Sequence, residues 1–200
     1  MTQLILASQS PRRKQLLQQL GVIFEIHPST LDESTHVKDP RVLVQYLAKE
    51  KAQDVATNYR DALVIGADTI VVLEDKILGK PKDPEEAITM LRSLSDRSHE
   101  VFTGISLQYV DPDGILSEAH TFVEKTTVWF QALEEKEIIR YVNSGSPLDK
   151  AGAYGIQDDW GAIFVKKITG DYYNVVGLPL SRCYEELKKM KARYNLKFQL

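Results

Sequence analysis

The chain has 200 residues, of which 43% are hydrophobic and 26% are charged, and its formal net charge is −3. This composition is typical of a globular protein with a buried core, and the small negative charge excludes a general attraction to nucleic acid or to an anionic membrane. No apolar run approaches the roughly 20 residues that cross a bilayer. The single cysteine, Cys183, excludes an internal disulfide and a cysteine-based zinc cluster, so we expect a cytoplasmic protein.

A strand and a capped helix open the chain. Residues 4–7 are predicted to form the strand, Ser10 is the predicted N-cap, and Pro11 takes the first helical position, where its missing N–H costs nothing. Arg12 and Arg13 follow, and because consecutive helical residues point about 100° apart, at least one of them faces solvent or a ligand. The corner therefore indicates either a site for an anion such as phosphate or a solvated basic turn.

Helices and strands alternate through the rest of the chain. The predicted elements are a strand at 22–27, a helix at 40–59 capped by Asp39, two strand segments within 62–78 joined at 66–69, a helix at 84–94 capped by Asp83, two long strands at 99–110 and 115–130 around an Asp-Pro-Asp-Gly turn, a helix at 134–142, a glycine-rich loop at 143–161, a strand at 162–168 and a helix at 178–193. Because the hairpin is antiparallel, we predict a mixed sheet of α/β or α+β class.

Several charged side chains are candidates for chemistry. Asp68 ends the apolar run Leu-Val-Ile-Gly-Ala, where a buried charge needs a partner, so it is either a metal ligand or general base, or a turn aspartate bonded to backbone. Glu33 is a possible second carboxylate in a polar loop. The cations suited to phosphate are Arg12, Arg13, Lys51, Lys80 and Lys82. Since the nucleotide-binding motifs GxxxxGK[ST] and GxGxxG and the serine elbow GxSxG are missing, these groups favour attack of water on a phosphoryl group.

The loop at 146–157 is a second candidate region. It holds Asp149, Lys150, Tyr154 and Gln157 among three glycines, Gly145, Gly152 and Gly155. Either its backbone bends closely around a ligand, or it is a purely structural loop. Cys183 lies among apolar residues of the last predicted helix and is expected to be a buried structural thiol.

Six ordered segments carry a resemblance to a known family. LILASQSPRRKQLL, LAKEKA, VIGADTIV, GKPKD, GSPLDKAGAYGIQ and VVGLPL resemble the Maf family of nucleoside triphosphate pyrophosphatases over residues 4–180. The resemblance implies one domain over residues 1–200 with a fold similar to the inosine triphosphate pyrophosphatases: an elongated, twisted mixed sheet flanked by helices, with two lobes around a cleft. It also implies hydrolysis of a nucleoside triphosphate to the monophosphate and pyrophosphate with a divalent metal ion, expected to be Mg²⁺ or Mn²⁺.

The same resemblance implies residue roles. Asp68 would accept a proton from the attacking water and, with Glu33, hold the metal ion, while the phosphates would be bound by Ser8, Arg13, Lys51 and Lys80. Arg12, Thr69 and Gln157 match the branch of the family that acts on dTTP and UTP, whereas the 7-methyl-GTP branch carries Trp, Gln and Glu at these positions.

The expected partner is thus a nucleoside triphosphate, with no nucleic acid polymer and no membrane, and a homodimer is common in the family. Two alternatives remain open at this point. One is a pyrophosphatase for 7-methyl-GTP or for a broad range of nucleotides, and the other is a nucleotide-binding regulator of cell division.

Overall fold

The computed structural model describes the backbone of residues 1–200 and every side chain except that of Asp159. The strands are β1 (Gln3–Ala7), β2 (Glu25–Ile26), β3 (Ala62–Leu73), β4 (Lys76–Leu78), β5 (Ser98–Val110), β6 (His120–Phe130) and β7 (Val165–Thr169). The helices are α1 (Pro11–Gln19), α2 (Pro40–Ala56), α3 (Pro84–Leu94), α4 (Glu135–Asn143), α5 (Asp159–Phe164), α6 (Tyr172–Val176) and α7 (Leu180–Arg193), with short 3₁₀ turns at Ser146–Asp149 and Ala151–Ala153.

The strands form one seven-stranded mixed sheet, as predicted. Its order is β2-β1-β3-β5-β6-β7, and β4 pairs with β3 outside this path. β1 is parallel to both β2 and β3, whereas β4 runs antiparallel to β3 and β7 antiparallel to β6.

Among the described residues, none of the helices has the length and apolar character that crossing a membrane would need.

The chain divides into two compact units. The first consists of Met1–Asp68, Thr103–Glu124 and Gly177–Leu200, and the second of Thr69–Phe102 and Lys125–Val176. The expected cleft between two lobes of a single domain stays a prediction.

Helix α2 packs very closely on two strands of the first unit. A Cβ atom built on Gly66 of β3 would lie 2.1 Å from the carbonyl oxygen of Ala48, and one on Gly104 of β5 would lie 2.2 Å from that of Val44. Both contacts are with helix backbone, which cannot swing aside as a side chain can. These glycines therefore let α2 approach the sheet, and the buried alanines Ala52 and Ala56 continue the contact.

Aromatic side chains fill much of the core of the second unit. Phe130 of β6 contacts His99 of β5 and Tyr154 edge-to-face, with ring centroids 4.9 and 4.7 Å away. Tyr141 of α4 meets Phe164 in the same manner at 5.3 Å. Such geometry adds to the stabilisation that burial of the rings already provides.

The helix starts agree with the capping prediction. The side chains of Ser10, Asp39 and Asp83 each accept a hydrogen bond from backbone N–H groups in the first turns of α1, α2 and α3. At the start of α3, the N–H of Glu86 donates to Asp83 Oδ1 at 2.8 Å, and the Glu86 carboxylate accepts from the N–H of Lys82. Cys183 is fully buried, as expected, and burial raises the pKa of its thiol to about 12.

Four predicted elements differ from the structure. β2 has two residues rather than six, because only Glu25 and Ile26 pair with β1. For the two segments predicted within 62–78, the junction expected at 66–69 is wrong, because β3 runs unbroken over Ala62–Leu73 and Gly66 lies under α2; the second strand, β4, follows at Lys76–Leu78. The strand predicted from residue 162 starts at Val165, because α5 occupies the preceding residues. The second hairpin strand begins at His120 rather than residue 115, and helix α6 was not predicted.

Candidate active site

The serine-rich corner after β1 is held together by its own hydroxyl groups. Ser8 is buried, and its Oγ accepts a hydrogen bond from the backbone N–H of Ser10 at 3.2 Å. The Oγ of Ser10 in turn accepts from the N–H of Arg13 at 3.5 Å, at the N-terminus of α1. The N-terminal end of α1, with the positive pole of its dipole, is thus fixed beside the end of β1.

Arg13 connects three parts of the first unit. Its Nη1 donates to Ser8 Oγ at 3.2 Å and to the carbonyl oxygen of Ala67 in β3 at 3.0 Å, and its Nε donates to the carbonyl oxygen of Gly177 at 2.9 Å. Burial lowers the pKa of the Arg13 guanidinium, and the negative charge of Asp68 acts in the opposite direction. The predicted phosphate ligand therefore also braces the ends of β1 and β3.

Lys51 of α2 brings two carboxylates together. Its Nζ lies 2.7 Å from Asp68 Oδ1 and 2.9 Å from Glu33 Oε1. Asp68 and Lys51 are mostly buried, with side chains 10% and 12% exposed, whereas the Glu33 side chain is 57% exposed. A buried charge is stable only when it has a partner, so the Lys51 ammonium offsets the cost of burying the Asp68 carboxylate after an apolar run.

The fold explains why Lys51 reaches Asp68. β1 and β3 run parallel with Ala7 opposite Gly66, so Ser8 and Asp68 follow from neighbouring strands. Side chains two residues apart on a strand share a face, so Asp68 lies on the same face of β3 as the position of Gly66, which α2 covers. The close approach of α2 at Gly66 thus brings Lys51 against the carboxylate.

The two acidic residues of the polar loop have separate roles. Asp32 Oδ1 accepts from the N–H of Ser34 at 3.0 Å and from its hydroxyl at 2.7 Å. These hydrogen bonds lower the pKa of Asp32 and shape the loop. Glu33 is the one of the two whose carboxylate pairs with Lys51.

Asp68 and Glu33 suit a hard divalent cation, although they do not enclose one. Both carboxylates meet at a single cationic group, the Lys51 ammonium, within 2.9 Å. Within the part of the chain that the structure describes, no three His, Cys, Asp or Glu side chains form a group able to hold a metal ion. This set fits Mg²⁺ or Mn²⁺, which keep several water or phosphate ligands beside one or two carboxylates.

The structure thus brings together five of the predicted site residues in the first unit: Ser8, Arg13, Glu33, Lys51 and Asp68. Arg12 is half-buried beside Arg13 and adds to the positive charge there. Thr69, Lys80 and Gln157 belong to the second unit. There Thr69 is half-buried in β3 and Lys80 is exposed.

Gln157 is held by a pair of charged residues that the sequence did not single out for the site. Its Nε2 donates to Asp158 Oδ1 at 3.0 Å, and Asp158 Oδ2 lies 2.9 Å from Lys150 Nζ. In the sequence, Lys150 was one of several polar residues of a loop, and nothing about the lysine itself marked it as buried. The neighbouring glycines, which allow close packing, were the signal for it.

Comparisons with known proteins agree with these features. Residues 3–190 match the profile of a family described as "Maf-like protein". The chain is 54% identical over 191 residues to a dTTP/UTP pyrophosphatase of Geobacillus sp., with 95% of this chain and 99% of the relative covered. It is 52% identical over 189 residues to the protein of the same name from Halalkalibacterium halodurans, with 94% and 96% covered.

A solved structure gives a weaker likeness. The nucleoside-triphosphatase / dITP/XTP pyrophosphatase of Mycobacterium abscessus aligns with 98% of each chain at 10% identity and a TM-score of 0.42. The profile match spans most of the sequence, and the curated relatives share about half of its residues over nearly their whole length. On these two findings, the chain belongs to the Maf family.

Proposed function

We propose that this protein is a nucleoside triphosphate pyrophosphatase that hydrolyses dTTP and UTP between the α- and β-phosphates. The observation that carries the proposal is the Lys51 ammonium, which holds the buried carboxylate of Asp68 and the exposed carboxylate of Glu33 in one place. The name dTTP/UTP pyrophosphatase borne by relatives about half identical to this chain supports both the reaction and the substrates.

Asp68 is the proposed proton acceptor. Its carboxylate takes a proton from the water whose oxygen attacks phosphorus, and the bond to the departing pyrophosphate breaks. Lys51 pairs with Asp68 before the reaction and can turn toward a phosphate oxygen when a negatively charged substrate enters. Because the negative charge of the transition state is spread over phosphate oxygens, preorganised cations are the main source of catalysis in such a reaction.

The other proposed contacts are to phosphate and metal. Ser8 and the α1 N-terminus favour an anion, Arg13 keeps that corner in place and adds its charge, and Lys80 is a further phosphate ligand. Asp68 and Glu33 would hold the divalent cation. When bound, such a cation neutralises charge on the phosphates and on the leaving pyrophosphate.

Arg12, Thr69 and Gln157 are the proposed determinants of the base. The Gln157 amide can offer both a hydrogen-bond donor and an acceptor to a pyrimidine edge. Modified pyrimidine triphosphates share that edge, and we include them as candidate substrates.

The test is pyrophosphate release from dTTP, UTP, CTP, GTP, ATP and 7-methyl-GTP, each with and without Mg²⁺ or Mn²⁺. We expect metal-dependent release, fastest from dTTP and UTP. Release led by 7-methyl-GTP would keep the reaction and overturn the substrate assignment. Stoichiometric nucleotide binding without release would favour a nucleotide-binding regulator of cell division instead.

Two further expectations belong to this proposal. We propose a homodimer, which light scattering on the purified protein would detect, and a cytoplasmic location, which fractionation of the host cells would detect. Neither is needed for the chemistry of the first unit.

A further inference from the structure

A buried lysine organises the loop between α4 and α5. Only 7% of Lys150 is exposed, and its Nζ lies 2.7 Å from Asp149 Oδ1 and 2.9 Å from Asp158 Oδ2. It also donates to the carbonyl oxygen of Ser146. An ammonium group this deeply buried is stable only with such partners, so the lysine and its carboxylates form a rigid unit.

The backbone at Gly155 is part of the same arrangement. A Cβ atom built there would lie 2.4 Å from Asp158 Oδ2 and 2.8 Å from Lys150 Cε. The ion pair is therefore packed against the backbone of Gly155, where only a glycine leaves room for it. The N–H of Gly155 donates to the hydroxyl of Tyr141 at 3.1 Å. Asp158 is therefore held by Lys150 and lies against the backbone at Gly155.

The fixed carboxylate determines which way the Gln157 amide points. Asp158 Oδ1 receives a hydrogen bond from Gln157 Nε2 at 3.0 Å. An ionised carboxylate can only accept, so the amide nitrogen must face it and the amide oxygen must face the other way. That oxygen is buried and accepts no hydrogen bond from the groups that the structure describes. A buried acceptor left in this state costs free energy that a donor on a ligand would recover.

We propose that Lys150 and Asp158 are positioning residues that hold the Gln157 amide with its buried oxygen outward, meaning turned away from Asp158, as an acceptor for the N3–H of a uracil or thymine ring. Uracil and thymine carry a hydrogen on N3, whereas cytosine has a lone pair there. An outward amide oxygen attracts the N3–H of uracil or thymine and repels the N3 lone pair of cytosine. The inference rests on the proposed function, and it gives the pair of charges a defined role in the discrimination of UTP and dTTP from CTP.

The substitution Asp158→Asn tests the inference. Lys150 can only donate, so it attracts the oxygen of the new amide and leaves the NH₂ group toward Gln157. The Gln157 amide then turns its oxygen inward and its NH₂ outward, where it suits the N3 lone pair of cytosine. We expect the ratio of kcat/KM for UTP over CTP to fall by about 10- to 100-fold, as for other base contacts in which a hydrogen-bonding partner is mismatched.

Two further variants separate positioning from loop stability. Asp149→Asn removes a carboxylate from the same lysine but not the one that holds Gln157, and we expect it to leave the UTP/CTP ratio unchanged. In the double variant Gln157→Glu with Asp158→Asn, the introduced carboxylate accepts from the new amide and again presents an oxygen outward. We expect this double variant to recover the preference for UTP, which a general loosening of the loop would not allow.

The outcomes distinguish this inference from the proposed function. No pyrophosphate release by the unmodified protein overturns the proposed function, whereas release with equal use of UTP and CTP keeps the reaction and overturns the inference together with the substrate assignment. An unchanged ratio in Asp158→Asn also overturns it. If that variant fails to fold, 3-methyl-UTP is tested on the unmodified protein, because it lacks the N3–H. Turnover as fast as that of UTP would then contradict the inference.

Discussion

Asp68 is a buried carboxylate that depends on a neighbouring lysine. It follows an apolar strand segment, where an isolated carboxylate would be expensive to bury, and it is nevertheless only 7% exposed. The Lys51 ammonium at 2.7 Å offsets that cost. The sequence could indicate that Asp68 was unusual, but it could not show whether the partner was a backbone N–H, a metal ion or a lysine.

Replacement of Asp68 by asparagine tests its role. Asparagine keeps the shape of the side chain but accepts protons far less readily, so we expect Asp68→Asn to lower kcat by about 100- to 10,000-fold, the usual contribution of a general base. The measurement is pyrophosphate release from UTP, with circular dichroism to verify the fold. Asp113→Asn, in an exposed turn of the same unit, is the matched control and should retain activity. Activity near normal in Asp68→Asn would contradict the assignment.

Most of the first-unit site could be predicted, and the support for Gln157 could not. The family resemblance placed Ser8 and Asp68 in one site, and the structure has them next to each other on parallel strands, with Ala7 opposite Gly66. Lys51 is brought there by the packing of α2 on Gly66, which no local pattern encodes. The pairing of Asp158 with Lys150 likewise depends on the loop conformation.

At the scale of elements, the contact between α2 and β3 links packing to the site. In Gly66→Ala the new methyl group would meet the Ala48 carbonyl oxygen at 2.1 Å, so α2 must move. We expect the free energy of unfolding to fall by about 1–3 kcal/mol, as for other overpacked cores, and turnover to fall because Lys51 moves away from Asp68. Urea unfolding and kcat are the measurements. Gly79→Ala is the stability control, since no atom lies within 4 Å of its added Cβ.

Strand β5 carries a histidine that makes the second unit sensitive to acid. His99 is buried, its Nε2 lies 2.7 Å from the Tyr154 hydroxyl, and burial lowers its pKa from 6.5 to about 4. Between these pH values the unfolded chain binds the proton that the folded state excludes. The stability that comes from keeping His99 neutral is therefore fully present above pH 6.5 and is lost as the pH falls toward 4.

We expect this histidine to remove about 3 kcal/mol from the free energy of unfolding across that pH range. His99→Gln, which cannot titrate but can still bond to Tyr154, should show a smaller slope between pH 6.5 and 4. Denaturant unfolding at several pH values measures it, with exposed His36→Gln as the matched control. Equal slopes in the unmodified protein and His99→Gln would show that another group is responsible.

At the scale of the whole molecule, the starts of α1, α2 and α3 could be predicted, whereas the boundaries of the two units could not. A capping side chain is a local signal, so Ser10, Asp39 and Asp83 were identified correctly. The chain passes from one unit to the other after residues 68, 102, 124 and 176. Three of these points lie inside β3, β5 and β6, where a continuous strand has no linker composition to mark a boundary.

The two ends of the chain meet in the first unit. The N–H of Lys197 donates to Thr2 Oγ1 at 3.1 Å, and Leu196 and Phe198 are buried. We expect removal of residues 196–200 to lower the free energy of unfolding by about 3–6 kcal/mol, because burial of each apolar side chain contributes about 1.5–3 kcal/mol. Thermal unfolding measures the loss. Removal of only Gln199 and Leu200 should have a much smaller effect, and similar losses in both would contradict this explanation.

The burial of Cys183 makes the protein convenient for site-specific chemistry. Its thiol is out of contact with solvent and its pKa of about 12 keeps it in the unreactive protonated form at neutral pH. A cysteine introduced at an exposed position of either unit would therefore be the thiol that a maleimide dye reaches. Fluorescent or spin labels can thus be attached one at a time without replacing Cys183, so nucleotide binding can be followed in an otherwise unaltered chain.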